Sequence, residues 1–219
     1  MNTTNDDATV TEVLTEHRIE GIEGMSGLTF DGALVWFVQT ATGQLCAIDP
    51  DTGKVERKLA GFKVTSGLAF DGEHLWAVTG DRILELDPES GDVLHSIDVP
   101  SRGSGLAWAE GALWLGRYAE KELVKLDPKT GAVLKTVSSD RLVTGVSWVD
   151  GGLWHGAWEG EDEPGKTAEV RRIDPEDGRV LKRLRTRDEH PVSGLEGDGA
   201  GRFWCGDSAG NRLRRVRGS

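Results

Sequence analysis

The sequence predicts an all-β fold, a five-bladed β-propeller of four-stranded antiparallel blades with an N-terminal strand closing the last blade. A Ser/Thr-Gly-aliphatic signature recurs at Ser26-Gly27-Leu28, Ser66-Gly67-Leu68, Ser104-Gly105-Leu106, Thr144-Gly145-Val146 and Ser193-Gly194-Leu195, at intervals of 40, 38, 40 and 49 residues. A tryptophan follows each at the same place: Trp36, Trp76, Trp114, Trp154 and Trp204. Four units then end in Asp-Pro-x-x-Gly, beginning at Asp49, Asp87, Asp127 and Asp174. A period near 40 residues is that of a blade, which buries its faces only by stacking on its neighbours.

Each unit divides into four strands because the apolar runs between these markers are short, rich in Val, Leu, Ile and Trp, and without helical period. The first strand (A) carries the signature and then an aromatic residue, and glycine there lets the innermost strands crowd around the axis. The second (B) runs through the repeat Trp. The third (C) precedes Asp-Pro, where proline presets the first turn dihedral and glycine takes the left-handed position, so a hairpin loop follows. The fourth (D) comes after the glycine, as in Val93-Leu94-His95-Ser96-Ile97. The fifth unit lacks the Asp-Pro turn and its last strand after Asn211-Arg212-Leu213-Arg214-Arg215-Val216. Residues 10–22 are expected to supply that outer strand and cover the open edge. The chain is one domain, with residues 1–9 flexible and blades at about 24–60, 64–98, 102–138, 142–186 and 190–217.

Of the 219 residues 30 are glycine, about twice the usual share, but without the three-residue period of collagen. Two cysteines, Cys46 and Cys205, make no disulfide scaffold, and no apolar run approaches the roughly 20 residues of a membrane span. The formal net charge of −11 is uneven: residues 1–165 carry 13 basic and 28 acidic side chains, residues 166–219 carry 13 and nine. Such an acidic chain is not expected to bind nucleic acid, and the stretch Arg212 to Arg217 suits an outer strand with one solvated face. The first residues have neither the basic nor the apolar part of a signal peptide, so a cytoplasmic monomer without a membrane partner is expected.

Departures from the repeat mark the candidate site. The D-to-A and B-to-C connections lie on one face around the axis, where they form a funnel. Side chains one and three residues after the repeat Trp share a strand face. The first position holds Phe37, Ala77, Leu115, His155 and Cys205, the second Gln39, Thr79, Arg117, Ala157 and Asp207. His155 and Cys205, in adjacent blades, make a base and a nucleophile if their side chains meet. With Asp207 and His190 they make a donor set for a divalent metal ion, although nothing in the sequence requires a cofactor. Otherwise Cys205 is a small buried hydrophobe and His155 a hydrogen-bonded core histidine. Glu196 stands where the other blades have Thr29, Ala69, Ala107 and Ser147, all small. A carboxyl facing the funnel there has its pKa raised by burial and suits acid–base catalysis, the alternative being an ion pair with Arg117 or another arginine. Gln39, Thr79, Arg117, Tyr118, Trp158 and His190 are the candidate substrate-binding residues, with Arg117 and Tyr118 offering a fixed charge and an aromatic edge. The longest interval contains the insertion 159–167, a solvated loop or a lid.

Three motifs recur or stand out: Gly-Leu-x-Phe-Asp-Gly-x-x-(aliphatic)-Trp, the Asp-Pro-x-Ser/Thr-Gly-x-Val turn, and Trp154-His155-Gly156-Ala157-Trp158 in blade four. Through them nearly the whole chain resembles the plant-type and bacterial glutaminyl cyclase (glutamine cyclotransferase) family of five-bladed propellers, the last motif being similar to that family's Trp-x-Asn-x-Trp. The chain has Phe37, Ser26 and Gly156 where that family tends to carry an acidic residue, a glutamine and an asparagine. The resemblance implies cyclisation of an N-terminal glutamine with release of ammonia by carboxylate-assisted proton transfer. The expected function is therefore a small-molecule or peptide N-terminus site with non-redox acid–base chemistry by Glu196 or His155, as an acyltransferase or lyase. A non-catalytic binding propeller for a protein partner is the alternative. A lyase resembling the streptogramin lyases is a third, although those propellers have seven blades.

Overall fold

The computed structural model describes residues 9–99, 102–158, 168–185, 192–207 and 210–218, and of Asp207 the backbone alone. The chain starts with β1 (Thr9–Val10) and β2 (Glu12–Arg18). Blade I is β3 (Met25–Phe30), β4 (Val35–Gln39), β5 (Gln44–Ile48) and β6 (Val55–Leu59). Blade II is β7 (Leu68–Phe70), β8 (Leu75–Val78), β9 (Arg82–Leu86) and β10 (Val93–Asp98). Blade III is β11 (Leu106–Ala109), β12 (Ala112–Arg117), β13 (Glu122–Leu126) and β14 (Val133–Ser138). Blade IV is β15 (Leu142–Val149), β16 (Gly152–Trp158), β17 (Glu169–Ile173) and β18 (Val180–Arg185), and blade V begins β19 (Val192–Gly199), β20 (Arg202–Asp207), β21 (Arg212–Arg217). The strands of each blade are antiparallel and follow sequence order, and β2 completes blade V against β21, with Glu12 opposite Arg217 and Arg18 opposite Arg212. The fold is the five-bladed propeller that the repeat predicts.

The closing segment is divided between two blades, which the sequence did not suggest. β1 pairs in parallel with β18, Thr9 opposite Leu184, as a fifth strand of blade IV. The chain then crosses at the buried Thr11, whose N–H donates to the Arg185 carbonyl at 2.9 Å, and becomes β2. It leaves the sheet after Arg18 so that Ile19 and Ile22 can enter the core between blades V and I, which makes the outer strand shorter than 10–22. A pattern at the rim explains why blade IV needs β1. Elsewhere a D-strand residue reaches the next blade's Asp-Pro turn: His17 Nε2 lies 2.9 Å from the Pro50 carbonyl, Arg57 donates to the Pro88 carbonyl, His95 meets the Lys129 carbonyl and Lys135 pairs with Glu176. Blade V has no such turn to offer β18, and β1 ties the two blades instead.

Between blades the packing alternates by residue. Trp36 enters the core shared with blade II, beside Leu68 and Leu75, while Phe37 enters the core shared with blade V, beside Leu28 and Leu213. The signature glycines are required by close approach: a Cβ on Gly67 would lie 2.5 Å from Leu106 N, and one on Gly105 2.5 Å from Val146 N. The signature hydroxyl has its own task. Ser66 donates to the Gly103 carbonyl at 2.6 Å, Ser104 to Val143 at 2.7 Å and Ser193 to Met25 at 2.6 Å, each in the next blade. Ser104→Ala is therefore expected to lower unfolding free energy by about 1 kcal/mol in urea denaturation.

Candidate functional site

β19 brings Glu196 into the inner ring at the level of Thr29, Ala69, Ala107 and Ser147, all of them buried. Its Oε2 accepts the Ser147 hydroxyl at 3.2 Å and its carboxyl also accepts the backbone N–H of Phe30, so it ties blade V to both of its neighbours, IV and I. Ser147 Oγ in turn accepts the N–H of Gly197 at 3.0 Å. Burial pushes the Glu196 pKa up to about 8, against the two hydrogen bonds, which favour the ionised form. At neutral pH this side chain is a carboxylic acid, ready to give a proton and to take one back.

The structure does not bring His155 and Cys205 together. His155 stands opposite Val146 and Arg171 on the face of blade IV turned to blade III, whereas Cys205 packs with Trp154 and Val170 against the other face. Trp154 and His155 are adjacent on one strand and point to opposite sides, so the sheet of blade IV separates imidazole from thiol. A nucleophile–base pair, or one metal ion bound by both, is not assembled. The Nδ1–H of His155 donates to the Gly156 carbonyl at 2.9 Å, and burial, reinforced by the Arg171 charge, holds its pKa down to about 4. Burial pushes the Cys205 thiol up to about 12. Both are neutral core groups at physiological pH. His190, the insertion 159–167 and the side chain of Asp207 lie outside the described residues.

A charged cluster beside His155 escaped the sequence reading. Arg171 is buried; its Nε donates to Glu169 at 2.7 Å and its Nη1 to Asp140, and Arg141 lies 3.7 Å from Glu169. Desolvation raises the pKa of Asp140, but the charge and hydrogen bond of Arg171 outweigh it and hold the carboxyl below its ordinary value. The positions matching Arg171 are Cys46, Leu84 and Val124 in blades I to III. Aligning the C strands as well as the B strands reveals this arginine in the sequence.

Gln39 and Arg117 end their B strands, and Thr79 directly follows β8, at the mouth of the ring. Gln39 is opposite Met25, four residues along β3 from the Glu196 level, or about 13 Å at about 3.3 Å per residue. These residues therefore do not meet Glu196, and each is engaged locally. Gln39 Nε2 donates to the Gly21 carbonyl at 3.4 Å, the Thr79 hydroxyl donates to the Arg82 carbonyl at 3.3 Å, and Arg117 pairs with Glu122 at 2.9 Å and Glu120 at 3.1 Å. Tyr118 is exposed and Trp158 is buried opposite Leu142.

Nearer to Glu196, a cavity of about 120 Å³ opens between blades V and I on the side of the A-to-B turns. Phe30, Pro50, Asp51, Asp198, Trp204 and Arg215 line it. Phe30 bonds Glu196 through its N–H and Trp204 is the cross-strand partner of Glu196, so the cavity adjoins the acid. On the same side, the potential metal ligands of Asp71, His74 and Glu85 lie within 4.8 Å of one another. Asp71 is already occupied there, accepting the N–H groups of Glu73 and His74 and the Trp76 indole, as Asp31 does in blade I for Ala33, Leu34 and Trp36. That group is a turn with a His74–Glu85 pair at 3.1 Å.

The same architecture occurs in Myxococcus xanthus glutaminyl cyclase, with a TM-score of 0.80 at 18% identity over 96% of this chain and 97% of that one. Streptogramin B lyase gives a TM-score of 0.54 at 14% identity over 95% and 98% of the two chains. At these identities the likeness is one of fold. No curated protein matches the sequence. The PQQ_2 family model, described as outer membrane protein assembly factor BamB, matches residues 5–149, more than half of the chain, and the protein belongs to that family.

Proposed function

We propose that the protein is an enzyme of glutaminyl-cyclase-like type, in which Glu196 moves protons in non-redox chemistry on a small amide or amine substrate. The observation that carries this reading is the Glu196 carboxyl, held in the inner ring by Ser147 and Phe30 with its pKa raised to about 8. When an N-terminal glutamine cyclises, its α-amine attacks the side-chain amide carbon, a C–N bond forms, and the bond to the amide nitrogen breaks. The departing nitrogen needs a proton and the attacking amine must lose one. A carboxyl that changes its protonation close to neutral pH serves both transfers at little cost. The cavity between Phe30 and Trp204 is the approach to it. Neutral His155, enclosed beside Arg171, has no part in this scheme.

Glu196→Gln keeps the size of the side chain and removes the proton. Incubated with a Gln-initiated peptide, the wild type is expected to release ammonia and the pyroglutamyl product, and the variant to lose at least about 100-fold in kcat while remaining folded. Equal turnover by the two proteins removes Glu196 from the chemistry. A non-catalytic binding propeller for a protein partner is the second reading. It is favoured by the match to an assembly-factor family and by the local engagement of Gln39 and Arg117. Complete inactivity of the folded wild type on amide and amine substrates would select it.

A further inference from the structure

On β17, Arg172 stands opposite Lys182 of β18 and opposite Trp154 of β16, on the face of blade IV turned to blade V. Two cations directly opposite one another across a pair of strands repel. The repeat supplies internal comparisons. Blade III has the same arrangement, Lys125 opposite Lys135, but there each cation has a carboxylate, Glu110 at 3.8 Å and Glu176 at 2.7 Å. In blade V the matching arginine, Arg215, is paired with Asp198. Neither Arg172 nor Lys182 has a carboxylate partner among the described residues, and Arg172 Nε is buried with no acceptor.

A Cβ on Gly152 would lie 2.5 Å from Arg172 Nε and 3.1 Å from both Cζ and Nη2. The guanidinium therefore lies over Gly152 of β16, in space that a side chain there would contest. The half-buried guanidinium thus lies against β16, with a second cation at the cross-strand position on β18 and no carboxylate partner among the described residues.

We propose that Arg172 and Lys182 form a subsite for an oxyanion, a phosphate or carboxylate group carried by a small ligand, at the edge between blades IV and V. An oxyanion there accepts charge-assisted hydrogen bonds from a planar guanidinium and an ammonium, and turns a repulsive pair into an attractive set of three charges. The subsite is independent of Glu196 and of the reaction proposed for it.

The test is a titration with inorganic phosphate and, separately, acetate at constant ionic strength, following the Arg172 Nε–H resonance by nitrogen-edited NMR. A saturable shift is expected with at least one anion. Its Kd should weaken about ten-fold or more in Lys182→Gln, and the shift should vanish in Lys182→Glu, whose new carboxylate takes Arg172. Both substitutions are tolerated, because Lys182 is exposed. Phosphate binding with acetate inert assigns the site to phosphoryl ligands, acetate binding alone assigns it to carboxylates, and binding of both leaves the oxyanion class as stated. No saturable shift with either anion, or an unchanged Kd in Lys182→Gln, overturns the proposal.

Discussion

Gly105→Ala is expected to cost at least about 3 kcal/mol of unfolding free energy, beyond the usual range for an added methyl group. The new Cβ would meet Val146 N at 2.5 Å and Thr144 O at 2.6 Å, both main-chain atoms of the next blade. A crowded side chain can rotate away; a strand hydrogen-bonded into its own sheet cannot. The strain therefore passes to the spacing of blades III and IV, and through it to the closed ring. Gly111→Ala is the control, because a Cβ there meets nothing within 4 Å and the only penalty is a φ of +74°, roughly 1 kcal/mol. Urea denaturation of the two variants should separate them clearly. Similar midpoints would mean that the inner strands have room to spread.

Glu196→Gln is expected to change how stability depends on pH. In the folded protein the carboxyl keeps its proton up to about pH 8, whereas in the unfolded chain it releases it near its ordinary value of 4.5. Between those limits the folded state binds more protons. The stability linked to this group is therefore full below pH 4.5 and drains away as the pH rises towards 8. At about 1.4 kcal/mol per pH unit the loss amounts to a few kcal/mol, reduced by whatever solvent reaches the half-buried side chain. Glutamine does not titrate, so from pH 4.5 to above 8 the difference between variant and wild type should move in favour of the variant. A difference that stays level across that range would show a carboxyl with an ordinary pKa.

The ring was legible in the sequence because its packing is periodic: each Trp, each signature glycine and each Asp-Pro turn does the same job in successive blades. Glu196 stood out for the same reason, as a carboxyl at a position otherwise kept small. β1 was not legible, since the two residues Thr9 and Val10 carry no pattern and pair through their backbone. The pairing of His155 with Cys205 failed for a geometric reason. Matching B-strand positions in neighbouring blades face the same way around the ring, so the sheet of one blade lies between them. On the B strands, residues that meet across a blade interface come from non-equivalent positions, as Trp154 and Phe203 do with ring centroids 4.8 Å apart, whereas on the innermost strands matching positions do touch, as Ser147 and Glu196 do at 3.2 Å. The turns held a similar trap. Asp71-Gly72 and Asp150-Gly151 have the same letters, yet Asp71 accepts the N–H groups of its own turn while Asp150 itself adopts a φ of 51°. Their distances from the repeat Trp, five residues and four, tell them apart.

The divided closing segment sets an order in time. Glu16 and Arg214, joined by an ion pair across β2 and β21, are 198 residues apart. At roughly 5–20 residues per second of synthesis, β2 waits about ten to forty seconds on the ribosome for its partner. Blades I to III consist of neighbouring strands and can form as they emerge. The outer edge of blade IV and the last place in blade V stay open until the end, and then fill together, because β1 and β2 are one continuous stretch. The slowest step in making this protein should therefore be the closing of a nearly finished ring, and its most aggregation-prone species should expose β18 and β21 rather than any edge of the first three blades.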